Sequence, residues 1–236
     1  AGADPYSSAY TIIDPFFKGV FGMVTVEAEM QMATGDYADY ASATPDVDYD
    51  AMRYVLDVGF DFGMMTAGIG YAHADGRGYG ENDYTTAGFG GNDWEPLMIL
   101  TGFDTYDAAG TGLLGGVGNF NGVAANNAPP STVAGAAGPA TTWGDAGMDI
   151  FYIYGSYPIM DNLTLNAIIG TASADETDRF AAGMDDSIGM EFDIGVKWQI
   201  MDNLTYDAKF GYFSPDDFWK FGVAGARDPD ETYSFM

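Results

Sequence analysis

The chain of 236 residues has no cysteine and a single histidine, His73. Without cysteine there is no disulfide framework, no thiolate nucleophile and no Cys-based metal site. One histidine cannot build a multi-His metal centre, and any Ser-His-Asp triad would have to use His73. Basic residues are scarce: 8 Lys and Arg stand against 35 Asp and Glu, a net charge of −27. Such a chain offers no basic face for nucleic acid. It also lacks any run of about 18 apolar residues, which excludes a transmembrane helix. That exclusion does not reach membrane strands, which give no hydropathy peak.

What is present argues for folded β-structure. At 47% hydrophobic and 15% aromatic, the chain is too apolar for an acidic disordered segment. Its 33 glycines suit many strands joined by turns and loops. The clearest stretch is Ser187 to Phe213. Ile188, Met190, Phe192, Ile194, Val196, Trp198 and Ile200 alternate with Gly189, Glu191, Asp193, Gly195, Lys197 and Gln199. A period of two over that length predicts a strand with one apolar and one polar face. After the turn Met201-Asp202-Asn203, the alternation resumes with Leu204, Tyr206, Ala208, Phe210 and Tyr212. This predicts a hairpin with strands long enough, at ~9–11 residues, to cross a bilayer at a tilt. Trp198 near the turn and Tyr212 at the far end suit interfacial girdles.

Elsewhere the same reading predicts a strand ending near Ile13, a break at Asp14-Pro15, and a strand from Phe17 to Thr34. In that strand Val20, Gly22, Val24, Val26, Ala28, Met30 and Met32 share a face. Gly35 to Asp50 reads as an aspartate-rich loop, and Ala51 to Phe62 as another strand. Gly63-Met64 reads as a turn, followed by a strand to Ala74. Leu97 to Leu100 is apolar without alternation, which fits a strand or a segment folded into a barrel. Residues 104–142 are rich in Gly, Ala, Asn and Pro, and form a long loop or a pore-inserted segment. Met148 to Tyr157 and Leu163 to Ala174 are strands, and Thr232 to Met236 begins a last one. Turns near 63, 160 and 202 are short, while connections near 42, 83, 180 and 221 are long. That asymmetry marks transmembrane barrels, whose short turns face the periplasm.

Ile159-Met160-Asp161-Asn162-Leu163-Thr164 recurs 41 residues later as Ile200-Met201-Asp202-Asn203-Leu204-Thr205. Aligning the turns sets Phe151, Ile153 and Tyr157 on the lipid face with Phe192, Ile194 and Trp198. Tyr152 and Tyr154 then face inward, placed to stack on flat or sugar-like solutes or to pack against a loop.

Lys18-Gly19-Val20-Phe21-Gly22, running into Val24-Thr25-Val26-Glu27-Ala28-Glu29, resembles Gram-negative outer-membrane porins. So do the two Met-Asp-Asn-Leu-Thr hairpins and the acidic final loop before Glu231-Thr232-Tyr233-Ser234-Phe235. The resemblance implies an all-β antiparallel transmembrane barrel, located in the outer membrane, that passes small hydrophilic solutes by passive diffusion. Its partners would be lipid and lipopolysaccharide, and it would perform no covalent chemistry. The family's barrels are larger and end on an aromatic residue, whereas this sequence reaches Met236 partway into a strand. The expectation is therefore a single β-barrel domain over 1–236 or the C-terminal portion of a larger barrel, with its remainder or a second copy as a further partner. A structural alternative is a β-rich surface protein that assembles with itself or sheathes a partner such as an electron-transfer cytochrome.

The expected pore-lining residues are Glu27, Glu29, Arg53, Asp57, Asp61, Tyr152, Tyr154, Glu191, Asp193, Lys197, Asp207 and Lys209. Acids outnumber bases there, so the lumen would favour cations. Lys197 and Asp207 are expected opposite each other across the hairpin. Asp46, Asp48 and Asp50 are a candidate loop-bound Ca²⁺ set, although the glycine and distant glutamate of an EF-hand loop are missing. No cofactor is expected beyond that ion. Carboxylates are too abundant for any one pair to single out glycoside hydrolysis.

Overall fold

The computed structural model describes residues 6–41, 46–76, 83–84, 96–101, 147–177, 184–220 and 227–236. The strands are β1 (Tyr6–Ile13), β2 (Phe16–Phe21), β3 (Val24–Tyr40), β4 (Val47–Asp61), β5 (Thr66–Ala74) and β6 (Asp83–Tyr84). They continue with β7 (Met148–Met160), β8 (Leu163–Ser173), β9 (Ser187–Met201), β10 (Leu204–Pro215) and β11 (Thr232–Phe235). All lie in one sheet, ordered β1-β3-β4-β5-β7-β8-β9-β10-β11, with β2 also on β3 and β6 on β4. Apart from the parallel β6–β4 contact, neighbours run antiparallel. No helix among the described residues is long and apolar enough to cross a membrane. The tract 104–142 lies outside the described residues.

Partners across a ladder point to the same side, so the register sorts the side chains. One row runs Val26, Val58, Ile69, Ile153, Ile169, Phe192, Tyr212, Tyr233 across eight strands. The rows beside it carry Leu56 and Phe151, then Ile194 and Phe210. These large apolar side chains are open on one face: Ile153 is 50% exposed and Phe192 39%. Tyr157, Trp198 and Tyr206 stand exposed toward the short-turn end of that face. Toward the other end Tyr54 and Tyr71 pack with ring centroids 5.8 Å apart.

Four short turns lie at one end, at 22–23, 62–65, 161–162 and 202–203. The first was not expected. Phe17 to Thr34 is two strands, because Gly22 takes a left-handed φ of 66° and reverses the chain. Val20 consequently pairs with Thr25 and faces away from Val24. The expected loop Gly35 to Asp50 also shortens, since β3 runs to Tyr40 and β4 starts at Val47. The repeated turns are stitched together: Asn162 donates Nδ2 to the Gln199 carbonyl at 3.1 Å, and Gln199 N–H donates to the Asn162 carbonyl at 2.9 Å.

One member of the opening alternation moves. The register between β8 and β9 slips between Ala172 and Ser173, where Gly189 has a φ of 144°. This bulge turns Ile188 off the apolar outer face into the buried cluster, where it is fully enclosed. Among the described residues β1 and β11 share no ladder, so the sheet has two edges.

Candidate functional site

The opposite face of the sheet divides into two halves. Toward the long loops it is an apolar core of Ala72, Met148, Ile150, Ala172, Ile188, Phe213 and Phe218. Residues 97–100 fill that core, so the non-alternating Leu97 to Leu100 run is a tight turn docked on the sheet. Two glycines leave room for it. A Cβ on Gly170 would lie 2.7 Å from Leu97 Cδ1, and one on Gly211 would lie 3.3 Å from Met98 Cβ. Gly170 on β8 and Gly211 on β10 flank Glu191 and Asp193 on β9.

Glu191 and Asp193 hold the turn. Met98 N–H donates to Asp193 Oδ2 at 2.9 Å, Ile99 N–H to Glu191 Oε1 at 2.6 Å, and Leu100 N–H to Glu191 Oε2 at 2.6 Å. Three consecutive amides thus meet two carboxylates, as in an anion-binding turn with protein supplying the anion. Thr101 Oγ1 closes the turn by accepting from Leu97 N–H at 2.9 Å. Glu191 is fully buried and Asp193 is 5% exposed. The expectation that both stand open to a lumen is corrected for Glu191, which the turn covers; Asp193 also lies under the turn but keeps an edge on the cavity beside it.

Toward the short turns the same face opens into a cavity of about 660 Å³. Its charged lining is Asp57, Asp193, Asp207, Lys197 and Lys209, with Tyr152, Tyr154, Thr66, Ser156 and Asn166 between them. Asp57 anchors one wall, accepting from Tyr152 Oη at 2.9 Å and from Tyr154 Oη at 2.6 Å. The two rings stack at 6.0 Å and lie over Gly70 and Gly68 of β5, where any Cβ would collide with them. Glycine on β5 therefore lets tyrosines from β7 reach a carboxylate on β4. Lys197 and Asp207 are cross-strand partners, as expected, on the opposite wall.

The other expected lining residues are spread more widely. Glu27 pairs with Lys18 of β2 at 2.5 Å. Glu29 is half-buried on β3 beside it. Arg53 is corrected from lining residue to interior residue: it is 2% exposed and donates from Nη2 to Gln31 Oε1 at 2.8 Å. Asp61 accepts from Gly63 N–H at 2.7 Å and belongs to a short turn. Asp48 and Asp50 lie at the start of β4 and Asp46 just before it, where Asp46 Oδ1 accepts from Tyr40 N–H at 2.8 Å. Among the described residues, the metal-ligand types that converge are instead His73, Asp75 and Asp175, at the long-loop rim. Sequence reading passed over this group because Asp175 is 102 residues from His73.

No family model matches the chain, and no curated protein matches it. Among solved structures, it is similar to the outer-membrane expressed OmpT of Vibrio cholerae. The identity is 12%, the TM-score 0.45, and the match covers 96% of this chain and 55% of that one. Two further likenesses are in-vitro folded OmpT, an outer membrane protein of Vibrio cholerae, and its trimer form. Their identities are 12% and 13% and their TM-scores 0.43 and 0.42; each match covers 96% of this chain and 54% and 56% of theirs. The chain spans about half the length of the structures it matches.

Proposed function

We propose that this chain forms all or part of an outer-membrane β-barrel of a Gram-negative bacterium and acts as a porin for small hydrophilic solutes. The observation that carries the reading is the opposed chemistry of the two faces. Eight successive strands present a row of Val, Ile, Phe and Tyr on one side, of which Ile69, Ile153, Ile169, Phe192 and Tyr233 are exposed and the rest half-buried. An exposed apolar area that wide is stable against lipid and costly against water. On the other side is a cavity lined by charge. Three acids against two bases in that lining, within a chain of net charge −27, favour cations. The docked turn at 97–101 narrows the passage from the long-loop side, so permeation depends on size as well as charge. Lipid and lipopolysaccharide are the surrounding partners on this reading.

Planar-bilayer recording from the folded, detergent-purified protein tests it. Discrete conductance steps with a reversal potential favouring cations are expected. Absence of steps would sink the channel; anion preference would sink the charge argument and leave the barrel standing. Among the described residues β1 and β11 are the edges of the sheet, which favours one second reading, assembly by strand pairing with another copy or with the remainder of a longer barrel. Crosslinking between β1 and β11 cysteine variants in bilayers tests pairing between copies, which alone gives dimeric products.

A further inference from the structure

The long-loop rim of the sheet holds a constellation that the channel reading does not use. His73 is the penultimate residue of β5, and its side chain is 13% exposed. Its Nε2 faces Asp75 Oδ1 at 2.9 Å, and a carboxylate oxygen of Asp175 completes a group within 4.8 Å. The three residues come from β5, the residue after it, and the segment following β8. Both aspartates are fixed through backbone amides. Met52 N–H donates to Asp75 Oδ2 at 2.6 Å, and Gly76 N–H donates to Asp175 Oδ2 at 2.8 Å.

A separate observation comes from outside this group. The other ring nitrogen, Nδ1, lies 2.8 Å from Asp149 Oδ1 on β7, and Asp149 itself accepts from the Tyr71 hydroxyl. A carboxylate behind one imidazole nitrogen sets the tautomer and aims the opposite nitrogen at a cation, the usual outer-shell arrangement of metal-bound histidine. An ion pair alone would need neither the tyrosine behind Asp149 nor the second aspartate in front.

We propose that His73 Nε2, Asp75 and Asp175 form a divalent transition-metal site at the long-loop rim, with Asp149 as its positioning residue. One imidazole nitrogen and two carboxylates match a Zn²⁺-type ion, with a fourth position open to water; calcium favours all-oxygen sets. A metal there would tie the exit of β5 to the exit of β8. The proposal rests on rim geometry and stands whether or not the chain conducts ions.

The test is calorimetric titration of the full chain, folded in detergent and stripped with chelator, using ZnCl₂ as the probe. One saturable site is expected. His73→Ala should abolish it or weaken it by about 100-fold, and Asp149→Asn should weaken it by about 10–100-fold. Asp175→Asn, at an exposed position, should weaken binding with an unchanged circular dichroism spectrum, which keeps the test decisive if His73→Ala fails to fold. Ca²⁺ should not displace Zn²⁺ at equal concentration. No saturable uptake, uptake equal in wild type and Asp175→Asn, or equal competition by Ca²⁺ would each overturn the site.

Discussion

The hairpins β7–β8 and β9–β10 share a turn sequence and differ on one face only. Outside, Phe151, Ile153 and Tyr157 answer to Phe192, Ile194 and Trp198 at a spacing of 41, and all six are exposed and large. Inside, Ile150, Tyr152 and Tyr154 answer to Glu191, Asp193 and Gly195. On the proposed reading one side meets the uniform apolar surrounding of lipid, so any large apolar residue serves there. The other meets particular neighbours, and each hairpin has its own. Two tyrosines cross the glycines of β5 to Asp57. Two carboxylates hold three amides of a turn. The repeat therefore encodes a shared environment outside and separate tasks inside.

The largest effect should come from charging the shared face. Ile153→Arg and Ile194→Arg should each cost about 2–4 kcal/mol if these adjacent rows lie near the bilayer midplane. Denaturant titration in lipid vesicles measures it, and a silent substitution in either hairpin breaks the equivalence of the outer faces. Next comes the inner face of the second hairpin. Glu191→Ala would strand the Ile99 and Leu100 amides in the core, at about 1–3 kcal/mol for each donor left unmet. Glu191→Gln keeps an acceptor and should cost less. Hydrogen exchange at 97–101 should accelerate in the same order; unchanged exchange would mean that the carboxylate does not hold the turn. On the first hairpin Tyr154→Phe removes one donor from Asp57 and should cost about 1.5–3 kcal/mol, the range for a bond to a charged acceptor. A loss seen equally with Tyr152→Phe would show that Asp57 needs both.

The outer face was legible because a sheet with one apolar face leaves a strict period of two. Phe192 to Ile200 and Met52 to Leu56 could be assigned without coordinates. The exceptions are backbone events. Gly22 reads as one more small residue on a face until its φ reverses the chain, and Gly189 until it turns Ile188 inward. On the inner face, chemical type was visible but occupancy was not. Glu191 and Asp193 were assigned to the correct side, yet nothing local announces that Leu97 to Leu100 sits on them. The available signal was indirect: glycine at 170 and 211 and an apolar run with no period. The rim group at His73 was hidden because its members are distant in sequence and meet only through strand order.

The smallest effect sharpens the comparison most. Lys197 faces Asp207 across the second hairpin, and the aligned pair in the first is Ser156 facing Asn166. Both pairs line the same cavity. The double variant Lys197→Ser with Asp207→Asn therefore gives the second hairpin the inner chemistry of the first. An exposed cross-strand charge pair contributes about 0.2–1 kcal/mol, so the midpoint of unfolding should barely move. Removing one charge of each sign leaves the net charge unchanged, so cation preference should persist. Lys197→Ser alone leaves Asp207 without its partner and should raise that preference at constant stability. Reversal potentials under a salt gradient measure both. If the single variant alters stability but not selectivity, the pair holds the hairpin together and the cavity is not the conducting path.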